Sequence, residues 1–98
     1  MKVRDLFNPL GISQMIGGAT TFLDNNNCQL VKRAKYPDAV HLTMKRTSDD
    51  EEGHAFLRVN DAMKKKEQDL LAWAEKTNAI DGLTLNEISE IDVPINLD

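Results

Sequence analysis

Cys28-Gln29-Leu30-Val31-Lys32-Arg33-Ala34-Lys35-Tyr36, then Pro37-Asp38, then Ala39-Val40-His41-Leu42-Thr43-Met44-Lys45, is the stretch that sets the architecture of this 98-residue chain. Cys28, Leu30, Ala34 and Tyr36 alternate with Gln29, Arg33 and Lys35. Beyond the Pro-Asp pair, Val40, Leu42 and Met44 alternate with His41, Thr43 and Lys45. A period of two is the signature of a strand buried on one face, and Pro-Asp between two such runs is a turn signal. The pattern predicts antiparallel strands at about residues 28–36 and 39–47.

Downstream, Ser48 to Gly53 reads as a solvated acidic loop. Ala55, Leu57 and Val59 then resume the alternation as a third strand at about 54–60. Asn60 or Asp61 caps a helix of about residues 61–77, with Met63, Leu70, Leu71, Trp73 and Ala74 on its buried side. Thr84 followed by Glu87 makes a capping-box pattern, and Leu85, Ile88 and Ile91 line one face of a short helix that Pro94 ends. Val93, Ile95 and Leu97 alternate as a terminal edge strand would, a position that tolerates proline.

Upstream, Ile12, Met15, Ile16, Ala19, Phe22 and Leu23 recur at the three-four spacing of a helical face, which predicts a first helix at about residues 9–24. Asn8 suits its N-cap and Pro9 its first turn. Gly17 and Gly18 in its middle cost about 1 kcal/mol each relative to alanine and imply close approach of another backbone. The expected fold is therefore one small α+β domain spanning residues 1–98. Its order is helix, antiparallel hairpin extended to a three-stranded sheet, helix, then a short C-terminal helix and edge strand.

Composition narrows the function classes. At 41% hydrophobic and 29% charged the chain is too apolar to stay disordered, though a core of this size is thin and leaves room for a partner or a second copy. Cys28 is the single cysteine, so no intramolecular disulfide or multi-cysteine zinc site forms; a reducing, cytoplasmic setting is expected. The N-terminus does not read as a signal peptide. The uncharged run Leu6 to Leu23 contains Asn8, Pro9, Gln14 and three glycines, which argues against a membrane span.

No GxSxG, P-loop or GxGxxG pattern occurs, and His41 and His54 are not spaced as paired metal ligands. The sequence therefore nominates no catalytic residue, no metal site and no cofactor, and binding is the expected activity. Two surfaces are candidates. The first is the outer side of the 9–24 segment, where Gln14, Gly17, Gly18 and Thr21 are small or polar and uncharged; Trp73 joins it as a candidate anchor. The second is a basic patch of Lys32, Arg33, Lys35, His41, Lys45 and Arg46 on the hairpin, extended by Lys64 and Lys65. If Gln29, Val31, Arg33, Lys35, His41, Thr43 and Lys45 share a face, that face meets phosphates or an acidic protein.

The net charge of −4 weighs against general nucleic-acid affinity. It is unevenly spread, with one lysine against seven acids over residues 69–98. The leading expectation is a non-catalytic protein-interaction domain, an adaptor or inhibitor that occupies a partner's surface or self-associates as a homodimer. The alternative is nucleic-acid binding through residues 28–47 and Lys64 to Lys66.

Overall fold

The alternation around Pro37-Asp38 produces the longest ladder of the molecule. In the computed structural model, which describes residues 1–94, β4 (Cys28–Tyr36) pairs antiparallel with β5 (Ala39–Arg46), and β5 with β6 (Glu52–Val59). Before them come a one-turn helix α1 (Val3–Leu6) and the short strands β1 (Phe7–Pro9), β2 (Ser13–Ile16) and β3 (Ala19–Phe22). After them come a 3-10 helix (Asp61–Lys66) leading into α2 (Glu67–Lys76), and α3 (Leu85–Ser89). The class is α+β, with one antiparallel sheet in the order β3-β2-β6-β5-β4; β1 also pairs with β6.

The helices cover one side of this sheet. Leu70, Leu71 and Ala74 of α2 are fully buried against a face built from Val40, Leu42 and Met44 of β5 and Ala55 and Leu57 of β6; Val3, Leu6, Phe7, Ile80 and Ile88 complete the cluster. Each of the larger side chains among them, Val, Leu, Ile, Met or Phe, contributes about 1.5–3 kcal/mol on burial. Trp73 lies at the margin, half-buried and stacked on Phe7 with ring centroids 6.4 Å apart. The capping box forms as predicted: the Glu87 amide donates to Thr84 Oγ1 at 3.2 Å, and the Thr84 amide to Glu87 Oε1 at 3.1 Å.

The predicted helix over residues 9–24 is not there. Those residues form the β2–β3 hairpin, closed by Gly17 at φ 57° and Gly18 at φ 84°. Two positive φ values in a two-residue loop make the tight turn whose twist matches paired strands. A helix would spend the glycines' freedom at a cost, whereas this turn requires it. The three-four spacing was an accident of composition. Ile12 and Leu23 are buried, but Met15, Ile16 and Phe22 are 65%, 51% and 80% exposed, so no continuous apolar helical face exists.

At the C-terminal end, Asp92 bridges Lys2 and the Val93 amide donates to the Met1 carbonyl at 2.8 Å. Ile95 and Leu97 of the expected edge strand lie outside the described residues. Among those described, no helix is long and apolar enough to cross a membrane.

Candidate binding surfaces

A β-bulge divides the predicted basic patch. Leu30 lies opposite Met44, but the next registered pair is Lys32 with Thr43, so Val31 is an extra residue on β4. One extra residue reverses the phase of everything after it. Arg33 therefore lies opposite Leu42 and Lys35 opposite Val40, on the helical side of the sheet, while Lys32 joins Thr43 and His41 on the uncovered side. The expectation that Arg33 and Lys35 share a face with His41, Thr43 and Lys45 is corrected accordingly.

Arg33 is a structural cation. Its guanidinium donates to the carbonyl oxygens of Ala74 at 3.0 Å and Glu75 at 2.6 Å and pairs with Asp81 at 2.9 Å, leaving the side chain only 14% exposed. Those carbonyls close the C-terminal end of α2, where the helix dipole favours positive charge. Arg46 is held by Asp49 in a bidentate pair, and Lys64 and Lys65 sit exposed in the 3-10 helix of the helical layer. None of the four extends the patch.

Three of the predicted basic residues, Lys32, His41 and Lys45, do share the uncovered face. There they meet residues that the sequence reading left out: Tyr36 at the end of β4, and His54, Phe56 and Arg58, which alternate along β6 with the buried Ala55, Leu57 and Val59. The rings form a stack. The His41 ring lies 4.9 Å from Phe56 at an interplanar angle of 19°, 5.0 Å from His54 at 29°, and 5.9 Å from Tyr36. The Arg58 guanidinium sits 5.9 Å from the Phe56 centroid. A depression of about 400 Å³ opens between Tyr36, His41, Phe56 and Arg58.

His41 Nε2 and His54 Nδ1 are 2.9 Å apart, a hydrogen bond that needs one ring to donate and the other to accept. Burial in the stack lowers the His41 pKa below its ordinary value; His54 and Lys32 add to the effect and Glu52 opposes it. A base with a depressed folded-state pKa binds its proton more readily in the unfolded chain. Its contribution to stability is thus complete above the unfolded value near 6.5 and is lost as pH falls from there toward the folded value. Urea midpoints should therefore drop between pH 7.5 and pH 5.5, and His41→Gln should remove part of that slope. Equal slopes in the two proteins would show that His41 does not carry it.

The second candidate surface is the hairpin. Gln14, Gly17, Gly18 and Thr21 do cluster there, as turn and strand residues rather than a helix face, and Gln14 Nε2 donates to Glu51 across the base. Only Ser13 of β2 is registered with β6, opposite His54, so the tip of the hairpin runs clear of the sheet. β3 ends the strand order, and all four of its residues are exposed. The opposite end of the sheet, β4, is treated differently. Its first half is bridged by Thr84 through Gln29, and its second half carries Lys32, Arg33 and Lys35. Lysine on an edge discourages strand addition; β3 has no such protection. Trp73 is remote from the hairpin, in the helical layer, beside a shallow surface formed with Asp69, Ala72, Lys76 and Thr77.

Among the described residues no three His, Cys, Asp or Glu side chains come together as a metal-ligating group. Cys28 is fully buried in the core, which raises its pKa. Comparison with protein families, with curated proteins and with solved structures finds no match to this chain.

Proposed function

We propose that this chain is a non-catalytic protein-interaction domain that engages its partner through the β2–β3 hairpin. The observation that supports this reading is the combination, on one element, of a strand edge with no partner among the described residues, no charge, and Met15, Ile16 and Phe22 in solvent. Large apolar residues on both faces of a protruding hairpin are costly to leave in water, and an uncovered strand edge offers main-chain hydrogen bonds to an incoming strand. A photo-cross-linking amino acid at position 22 is expected to capture protein in a native lysate, whereas the same group at exposed Asp61 is expected to capture none. Equal, weak capture from the two positions would overturn the reading.

A second reading is favoured by the Tyr36, His41, His54 and Phe56 rings on the uncovered sheet face, flanked by Lys32, Lys45 and Arg58. Aromatic side chains on an open sheet, beside cations, are a platform for the bases of single-stranded nucleic acid. This route predicts binding to a labelled oligonucleotide that weakens steeply with salt and is lost in Phe56→Ala with Tyr36→Ala. Affinity unchanged in that double variant, or no binding at low salt, would remove it.

A further inference from the structure

We propose that the partner of the β3 edge is a second copy of this chain, joined antiparallel along β3 so that the two hairpins form one continuous four-stranded ribbon. The proposal rests on the reading that the hairpin is a protein-binding surface and names its occupant.

The main-chain geometry comes first. The Leu23 amide donates to the Ile12 carbonyl at 3.0 Å, and β2 pairs with β3 from Ser13–Phe22 to Ile16–Ala19. In an antiparallel pair, alternate residues turn their amide and carbonyl groups toward the neighbouring strand. Leu23, Thr21 and Ala19 therefore face β2, and the N–H and C=O of Thr20 and Phe22 face outward from the free edge. A twofold axis beside Thr21 places Thr20 of each copy opposite Phe22 of the other and satisfies all of these groups at once. It also keeps equivalent faces together, so Met15, Thr20 and Phe22 of the two copies lie on one side.

Charge then selects the occupant. A twofold contact sets only the residues at its axis against their own counterparts, and a charge there meets its like, so an uncharged strand suits the axis. Residues 6–23 are the longest run in the chain without Asp, Glu, Lys or Arg, and they contain the whole hairpin. The molecule carries a net charge of −4. At β3 the central pair is Thr21 against Thr21, and cross-strand threonine pairs are favourable. A second copy is also the one protein certain to present a matching unprotected edge. A contact resting on four strand residues is small, so a reversible, concentration-dependent dimer is expected rather than an obligate one.

The test is sedimentation equilibrium of the purified chain from micromolar to millimolar concentration. Gly18→Arg is a poor probe, because a residue at φ 84° strains the turn whatever it blocks. Thr21→Lys sets two ammonium groups against each other at the axis. Thr20→Pro removes one outward donor while sparing the bonds to β2. Wild type is expected to approach twice the monomer mass, with the dissociation constant raised about tenfold or more in each variant, the unfolding midpoint of the dilute proteins staying near wild type. A wild type that stays monomeric throughout, or variants that dimerise as well as wild type, overturns the proposal. Cross-linking from position 22 separates the two levels of the argument. A product of twice the mass in purified protein supports the second copy; products only in lysate overturn it while leaving the hairpin a binding surface; none in either removes both.

Discussion

Arg33→Glu is expected to lower the unfolding free energy by about 2–4 kcal/mol, a large share of what a domain of this size possesses. Three losses combine. The carbonyl oxygens of Ala74 and Glu75 lose their donor, and an unpaired acceptor in a poorly solvated place costs about 1–3 kcal/mol. The introduced carboxylate faces the negative end of α2. It also faces Asp81, which loses its cation and gains a like charge. With only 14% of the Arg33 side chain in solvent, water screens little of this. Lys45→Gln is the control: Lys45 is exposed on the uncovered face, glutamine sets no like charge against the Glu52 opposite it, and the change should stay within about 0.5 kcal/mol. Urea denaturation of the two variants decides the matter, since equal midpoints would place Arg33 in solvent and leave the end of α2 to other donors.

Arg33 also shows where sequence pattern loses the structure. The two strands around Pro37-Asp38 were legible because alternation and turn chemistry agree, and β6 followed from the same alternation; the helix expected at 61–77 becomes α-helical only from Glu67, with Asp61–Lys66 wound as a 3-10 helix. The phase of β4 after Val31 was not legible. A bulge leaves no mark on composition, yet it moved Arg33 and Lys35 from one face to the other and put Lys32 in their place. With the phase wrong, the patch took in Arg33 and Lys35, while Arg46, Lys64 and Lys65 fell outside it for reasons of their own position. The ring stack went unseen because its members come from three strands, and only the sheet register brings Tyr36, His41, His54 and Phe56 together. The hairpin failed for another reason: over a dozen residues a three-four spacing can arise by chance. The signal able to correct it was Gly17-Gly18, which a helix tolerates at a cost and a two-residue turn demands. The missing charges now fall on a strand edge rather than a helix face, which is the feature that the proposed contact builds on.

Gly53→Val is expected to destabilise the fold by about 2–3 kcal/mol and to do so through the hairpin. Gly53 lies within β6 and has no positive φ, so glycine is required there for space rather than for conformation. A Cβ at this position would stand 2.5 Å from Leu23 Cδ1 and 2.7 Å from Ile12 Cγ2, both closer than real carbons approach. Ile12 and Leu23 are the two buried residues that close the base of the β2–β3 hairpin, joined through the Leu23 amide and the Ile12 carbonyl. The missing side chain is thus the socket into which the hairpin is set. Removing bulk from the other side should restore the fit: Gly53→Ala and Leu23→Ala, each destabilising alone, are expected to be coupled by about 1 kcal/mol or more in the double variant. If dimerisation runs through β3, Gly53→Val should also weaken self-association, since a hairpin that is not seated cannot hold its edge in line. Additive losses in the Gly53–Leu23 cycle would mean that the hairpin base does not rest on β6.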